Sequence, residues 1–459
     1  MNKAKLKLSA LAAIILTANH AWADKAYVNQ NGDNGLVEVT QTGGVSNTNS
    51  VEVLQDLGSL KESAYLTQAG TGDQTVKVTQ SGSSDVVTVN QNGTRGTTEI
   101  TQGVHSSANT ATVTQGVKSV DAYAFITQDL GSNSSAFINQ NSPSADKAYI
   151  TQTGDNNIAT INQGLKVANV QSETATISQS GNLNSATINQ DSGILDKATI
   201  TQAGSNNTGL INQSGSQDPY TAIITSSGTN SYAQIDQTLA LGPVNNATIT
   251  QGAAGDSNKA TIVQYGTKGD NATITQDSNK NTAAVNQGIA SVGDTATITQ
   301  VKGDSNKATI SQKNSMSEKA TITQNGGNNA ATINQAGSAL FNQFDVATID
   351  QENDFNTATI NQLNTSFETA LIIQPGLSNT ATINQSNGQH DYATITQNGN
   401  GNTADIEQGT FGSSGSNANH AEIIQNGSTN TAIIDQIGTN KTAVVTQNGN
   451  GNNVKVTQH

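Results

Sequence analysis

The chain has 459 residues, of which only 33% are hydrophobic and 3% aromatic, and it contains no cysteine. That composition excludes a compact globule built on one large apolar core, and it excludes disulfides or thiolate metal sites as staples. With 20 Lys and Arg against 34 Asp and Glu, the charge balance argues against nucleic acid or an anionic membrane as a direct partner.

Residues 1–23 read as a secretory signal peptide. Lys3, Lys5 and Lys7 form a positive start, Leu8 to Leu16 an apolar run too short to span a bilayer, and Ala21-Trp22-Ala23 a small-x-small cleavage site. The mature chain then begins at Asp24, and no later segment is apolar enough for membrane insertion. Without the leader lysines, 17 Lys and Arg face 34 Asp and Glu, a net charge near −17 that keeps the chain soluble before assembly.

Residues 24–459 read as one continuous repeat domain. A short strand with an aliphatic residue two places before its end recurs 36 times, and 35 of these strands close on Gln; Ser226 is the exception. Ala148-Tyr149-Ile150-Thr151-Gln152 and Ala159-Thr160-Ile161-Asn162-Gln163 are typical. With the closing Gln at position zero, the aliphatic lies at −2, Ala at −4 and a polar residue at −6. Steps of two place all four on one face of an extended strand, whereas a helix would scatter them. The places between, rich in Thr, Asn, Lys and Tyr, point outward.

Closing positions are 11 residues apart from Gln152 to Gln163 and from Gln397 to Gln408, but 16 apart from Gln163 to Gln179 and 17 from Gln408 to Gln425. Alternating short and long connections predict two strands per coil, with a tight turn at one end and a tolerant loop at the other. The fold expected is all-β: a two-sheet, cross-β solenoid of about 18 coils, 36 strands taken in pairs. Gly154 and Gly399, with the Asn residues beside them, suit the positive φ of the tight turn. The longest connections, near 164–174 and 410–420, read as loop insertions.

One coil cannot bury its aliphatic face or pair its backbone alone, so coils must stack, about 4.8 Å apart, Ile on Ile and Gln on Gln. Each buried Gln amide then donates to one neighbour and accepts from the other. Gln30, Gln41, Gln152 and Gln163 are rungs of these ladders, as are Gln397, Gln408, Gln447 and Gln458. Ile150 and Ile161 fill the interior. Asn157, Asn402 and Asn452 occupy −6 of their strands. No cap is visible before Ala26 or after Gln458, so both edges read as templates for another copy of the chain.

The motif Gln397-x-Gly399-x-Gly401-Asn402-x-Ala404-x-x-x-Gln408 resembles the curlin repeat of bacterial curli fibres. Gln447-x-Gly449-x-Gly451-Asn452-x-Val454-x-x-x-Gln458 is similar, with Val in the Ala place. The resemblance covers nearly the whole mature chain. It implies a secreted subunit of a functional amyloid in the biofilm matrix, a bacterial cell-surface fibre. Its implied partners are other copies of itself, a nucleator subunit and an outer-membrane export pore. The chain departs from the family in its much larger number of repeats and in lacking a targeting segment after Ala23.

A further departure lies at −6 of the first strand of each coil, where the family often has Ser. Here Asp270, Asp294, Glu318, Asp345, Glu368 and Asp391 fill that place in six successive coils. Carboxylates stacked about 5 Å apart repel one another unless protonated, paired or metal-bound. Two readings stay open: solvated carboxylates at the strand corner, or a ladder that gates assembly through pH or divalent cations. Lysines directly after some acids, Lys147, Lys197 and Lys319, offer local pairing. The family's Gly-Gly-x-Gly-x-Asp calcium repeat is absent, and no defined metal site or cofactor is expected.

Catalysis is disfavoured because His105, His390, His420 and His459 are scattered and no nucleophile–base constellation appears. Outward Thr-x-Thr pairs at Thr248/Thr250, Thr273/Thr275, Thr297/Thr299 and Thr321/Thr323 make an ice-binding solenoid the more serious rival. A solitary adhesin on the same fold is the other. Outward Tyr27, Tyr65, Phe125, Phe137 and Tyr149 cluster toward the N-terminus and offer lateral contacts.

Overall fold

A computed structural model describes residues 13–19 (backbone path only), 24–42, 48–56, 58–164, 172–191, 193–215, 219–239, 244–288, 290–337, 344–409 and 418–459. Every regular element among them is a β-strand, and the fold is a two-sheet parallel β-solenoid of about 17 turns. The chain divides into two compact units, Met1–Ser226 and Ser227–His459. Ser226, the one closing residue that is not Gln, ends the first unit.

Within each unit successive strands alternate between the two sheets, so a strand pairs with the second one along the chain. Lys319–Gln324 shows why the sequence folds this way. Its Ala320, Ile322 and Gln324 are no more than 1% exposed, while Lys319, Thr321 and Thr323 face outward. The period-two pattern thus becomes one dry face and one wet face. The strand lies parallel to Val346–Gln351, with Ala320 opposite Ala347, Ile322 opposite Ile349 and Gln324 opposite Gln351. Like sits on like because a slip of one residue would turn the whole apolar set outward. Each fully buried Ile contributes about 1.5–3 kcal/mol of apolar burial.

The 11-residue steps are the tight connections expected. Lys147–Thr153 and Ile158–Gln163 are consecutive, lie in different sheets and are joined by a turn containing Gly154 at φ 102° and Asn156 at φ 56°. Left-handed backbone also falls on residues that carry no turn signal: Lys61, Leu195, Phe344 and Phe367, all with φ between 58° and 62°. Each stands immediately before a position −6, so the coil reverses at a fixed place whatever side chain is there.

Within the expected leader, Ala13–Asn19 runs parallel to Leu36–Thr42, with Ala13 opposite Leu36 and Asn19 opposite Thr42. The cleavage motif Ala21-Trp22-Ala23 lies outside the described residues, as does most of both long connections, 165–171 and 410–417.

Candidate functional site

The glutamines form ladders in both sheets. In the first unit Gln30 Nε2 donates to Gln55 Oε1 at 2.9 Å, Gln41 to Gln68 at 2.9 Å, Gln152 to Gln179 at 2.8 Å and Gln163 to Gln190 at 2.9 Å. In the second, Gln397 donates to Gln425 at 2.9 Å, Gln408 to Gln436 at 3.0 Å, and Gln447 and Gln458 accept from Gln425 and Gln436 at 2.8 and 2.9 Å. In each of these bonds the residue nearer the N-terminus donates, so the ladder has a direction. The second Nε2 hydrogen crosses between sheets, a bond that sequence spacing does not reveal. Gln152 reaches Ser135 O at 3.2 Å, Gln163 reaches Lys147 O at 3.2 Å, and Gln397 reaches Thr380 O at 3.0 Å. Each Gln therefore ties coil to coil and sheet to sheet, which explains why a buried amide is tolerated at this place. Ile150 and Ile161 lie beside the rungs, wholly buried, and stack on Ile126 and Ile177 and on Ile138 and Ile188.

Position −6 is the second ladder. Asn157 Oδ1 accepts the Asn184 N–H at 3.0 Å while its Nδ2 donates to Gly181 O at 2.7 Å. Asn402 repeats this with the Asn430 N–H at 2.9 Å and Gly427 O at 2.8 Å, and the Asn452 N–H is accepted by Asn430 at 2.9 Å. The glycine carbonyl is reachable because the turns stack without side chains between them. A Cβ on Gly399 would stand 1.8 Å from Gly427 O, and one on Gly154 2.2 Å from Gly181 O. Close approach is therefore the demand on Gly399, and positive φ adds to it at Gly154.

The acidic residues occupy the equivalent corner of the other sheet, and here the structure overturns the solvated reading. Asp270, Asp294, Glu318, Asp345, Glu368 and Asp391 are all no more than 1% exposed. The aspartates do the work of Asn. Asp270 Oδ1 accepts the Asp294 N–H at 2.9 Å, Asp294 the Glu318 N–H at 2.9 Å, Asp345 the Glu368 N–H at 2.9 Å and Asp391 the Asn419 N–H at 2.7 Å. Where Asn donates to a glycine carbonyl, Asp accepts from a hydroxyl: Asp270 from Ser291 at 2.5 Å, Asp294 from Ser315, and Asp345 from Thr365 at 2.6 Å. A Ser or Thr three residues before the next corner takes the place of Gly.

Burial raises every one of these acids, with neighbouring carboxylates adding to the effect on some. Asp270, Asp345 and Asp391 are pushed up to about 6, Asp294 to about 7 and Glu318 to about 10, while Glu368 lies well above its ordinary range. Two ionised carboxylates one coil apart repel by about 3 kcal/mol at an effective dielectric of about 20. Local lysine pairing does not relieve this, because strand alternation sends Lys147, Lys197 and Lys319 to the outer face, where they are exposed. Among the described residues no group of three or more His, Asp or Glu is arranged to hold a metal ion.

Two further acidic columns share this chemistry, and sequence reasoning missed the second of them. Asp146, Glu173 and Asp196 form one, with Asp146 accepting from Ser142 and from the Glu173 N–H at 3.0 Å. Glu62 and Asp85 form the other, at −6 of strands that close a coil rather than open one; Asp85 accepts from Ser106 and from the Asn109 N–H at 2.8 Å. Counting acids at −6 of every strand would have found Glu62 and Asp85.

The outer faces carry register of their own. Thr248, Thr273, Thr297 and Thr321 stand opposite one another, as do Thr250, Thr275, Thr299 and Thr323, until Asp350 and Leu371 interrupt the ranks. Asn162, Asn189 and Asn212 form an exterior amide ladder at 2.8 Å per step. Tyr27, Tyr65 and Phe137 are exposed, and Tyr149 meets Phe125 at 6.4 Å between ring centroids.

No curated protein matches the chain. Residues 172–204 and 417–449 match the curlin associated repeat family, one stretch in each compact unit and each spanning three strands. With its glutamine rungs, Asn corners and alternating sheets, the chain is a two-sheet β-solenoid that carries the curlin associated repeat.

Proposed function

We propose that the chain is a structural subunit of a curli-like functional amyloid, a secreted extracellular fibre of the biofilm matrix that grows end to end from copies of itself. The observation that carries this reading is the direction of the glutamine ladder. Because each rung donates toward the C-terminal side, an edge facing that way presents an amide donor and the opposite edge presents an acceptor. At the first rung Gln30 Oε1 is enclosed and has no hydrogen-bond partner, and at the last Gln458 holds Thr442 O at 3.1 Å with one of its two Nε2 hydrogens. Lys25–Gln30, the first strand of its sheet, and Asn453–Gln458, the last strand of the other, are partly open where inner strands are closed. Head-to-tail addition of a second copy continues every ladder, whereas two like edges would oppose donor to donor or acceptor to acceptor. The resemblance to curli subunits supports a nucleator and an export pore as further partners.

Electron microscopy of residues 24–459 after incubation at micromolar concentration tests the reading. Fibres of uniform width are expected. Discrete particles that never elongate would overturn it and favour a solitary adhesin or ice-binding solenoid, for which the in-register threonine ranks of the second unit are the supporting observation.

A further inference from the structure

The glutamates at position −6 behave differently from the aspartates stacked against them. An Asp side chain has the length of Asn and reaches the N–H of the next coil. Glu is one methylene longer, and Glu318 and Glu368 do not make that bond. Neither carboxyl oxygen of Glu318 or Glu368 has a hydrogen-bond partner, and both residues are no more than 1% exposed. Glu62 and Glu173 are equally buried; Glu62 Oε2 accepts the Asp85 N–H at 3.1 Å and Glu173 Oε1 the Gly193 N–H at 3.1 Å, which leaves the other oxygen of each without a partner. The hydroxyl of Ser315, beside Glu318, is bonded to Asp294.

The groups that face these glutamates offer no compensating charge. Asp294 and Asp345 flank Glu318, Asp345 and Asp391 flank Glu368, Asp146 and Asp196 flank Glu173, and Asp85 adjoins Glu62. His390 stands beside Asp391, and Asp191 lies near Glu173. From the opposite sheet the uncharged amides of Gln287 and Gln335 reach the Asp294 and Asp345 carbonyls at 3.3 Å. Ion pairs among the described residues, Lys77–Glu99 and Arg95–Asp121, lie on the surface. The corner is thus rich in acceptors and short of donors. An ionised glutamate there is an uncompensated buried charge; a protonated one is neutral and brings a donor of its own.

We propose that Glu62, Glu173, Glu318 and Glu368 are held as neutral acids in the stacked solenoid, so that the chain takes up protons from solvent as its coils form and stacking is controlled by pH. The step makes only an O–H bond on each carboxylate, with the proton supplied by water or buffer. Burial first, and the adjacent aspartates second, push Glu62 up to about 8, Glu173 to about 9 and Glu318 to about 10, with Glu368 well above its ordinary value. Unfolded glutamate ionises near 4.5. The folded state therefore binds more protons above that pH, and the stability these groups contribute is full below it and falls as pH rises through the folded values. Stacking is favoured in mildly acid surroundings and held back in alkaline ones. The inference deepens the fibre reading but depends on it only for the step from coil to polymer.

Diluting the chain from denaturant into weakly buffered solution at pH 7.5 reads the uptake directly. At least four protons per chain are expected, one for each named glutamate, and the double variant E318Q/E368Q should take up two fewer. No uptake, or an uptake the variant leaves unchanged, overturns the proposal. Infrared spectra of the folded wild-type chain decide the matter if the variant does not fold: a protonated-carboxyl stretch is expected at pH 7.5, and its absence overturns the proposal. Electron micrographs of the same solutions show whether the product is particle or fibre, so failure of the polymer reading is seen separately.

Discussion

At the corner before Thr403–Gly409, Asn402 accepts an N–H from the next coil and gives a hydrogen to Gly427 O at 2.8 Å. At the corner before Thr295–Gln300, Asp294 accepts the equivalent N–H at 2.9 Å and takes a hydrogen from Ser315. The first oxygen does the same task in both. The second atom reverses polarity, and the residue three places before the next corner changes from Gly to Ser to suit it. The amide corner is indifferent to pH, whereas the acid corner joins the same stacking to a titration. One solenoid thus has a passive column and a responsive one.

Asn402→Asp breaks this division most severely. The new carboxylate keeps the Asn430 N–H but sets an anionic oxygen against Gly427 O, with no donor between them. We expect a loss of about 3–5 kcal/mol at pH 8, the cost of an uncompensated buried charge. Burial raises the folded pKa of the new acid, so the penalty fades as pH falls and the protonated group donates to Gly427 O. Denaturant midpoints at pH 8 and pH 5 check both halves. A penalty equal at the two would show that steric fit, not charge, separates the corners.

Gly399→Ala ranks next. Its Cβ would meet backbone, Gly427 O at 1.8 Å and Gly427 C at 2.6 Å, so no side chain can swing aside. Overpacking of this kind costs about 3 kcal/mol. Ser315→Ala, the counterpart at the acid corner, should cost about 1–2 kcal/mol, because only a hydrogen bond is lost. Hydrogen exchange at Thr403–Gly409 and Thr295–Gln300 compares them; equal loss of protection would mean that the close turn is no more demanding than the hydroxyl.

Much of this was legible in the sequence because the repeat is redundant. The period of two fixed the inward residues, the 11-residue step fixed which turn was tight, and the recurrence of Gln and Asn marked the ladders. What could not be read were properties of stacking across about 23 residues of chain. The second Gln bond, such as Gln152 to Ser135 O, joins sheets through a partner that no motif names. The acids looked like surface residues because charge is normally solvated. Their burial becomes visible only when the hydroxyls of Ser291, Ser315 and Thr365 arrive from the next coil. Left-handed backbone at Leu195, Phe344 and Phe367 was hidden for the same reason: the stack imposes it, and Phe344, Phe367 and His390 pile at 5.3 and 5.1 Å as a result.

The aspartates sharpen the comparison in wild type. Asp270, Asp345 and Asp391 at about 6 and Asp294 at about 7 each contribute stability that is full below the unfolded pKa near 3.8 and lost as pH rises through those values. A tenfold gain in proton affinity on folding corresponds to about 1.4 kcal/mol. The denaturant midpoint should therefore fall steadily from pH 4 to pH 7. A flat profile would mean that serine and threonine hydroxyls hold the aspartates ionised.

Asp294→Asn carries the smallest expected effect and asks whether the two corners are interchangeable. Oδ1 of the new amide still accepts the Glu318 N–H. Its Nδ2 faces Ser315, whose hydroxyl can turn from donor to acceptor. One buried charge is removed, and with it part of the pressure that keeps Glu318 protonated. Above pH 7 the variant should be more stable than wild type by less than about 1 kcal/mol, and at pH 5 indistinguishable from it. A loss of more than about 1 kcal/mol at either pH would mean that Ser315 is locked as a donor. The choice of Ser over Gly would then fix the acid at this corner as firmly as Gly fixes Asn at the other.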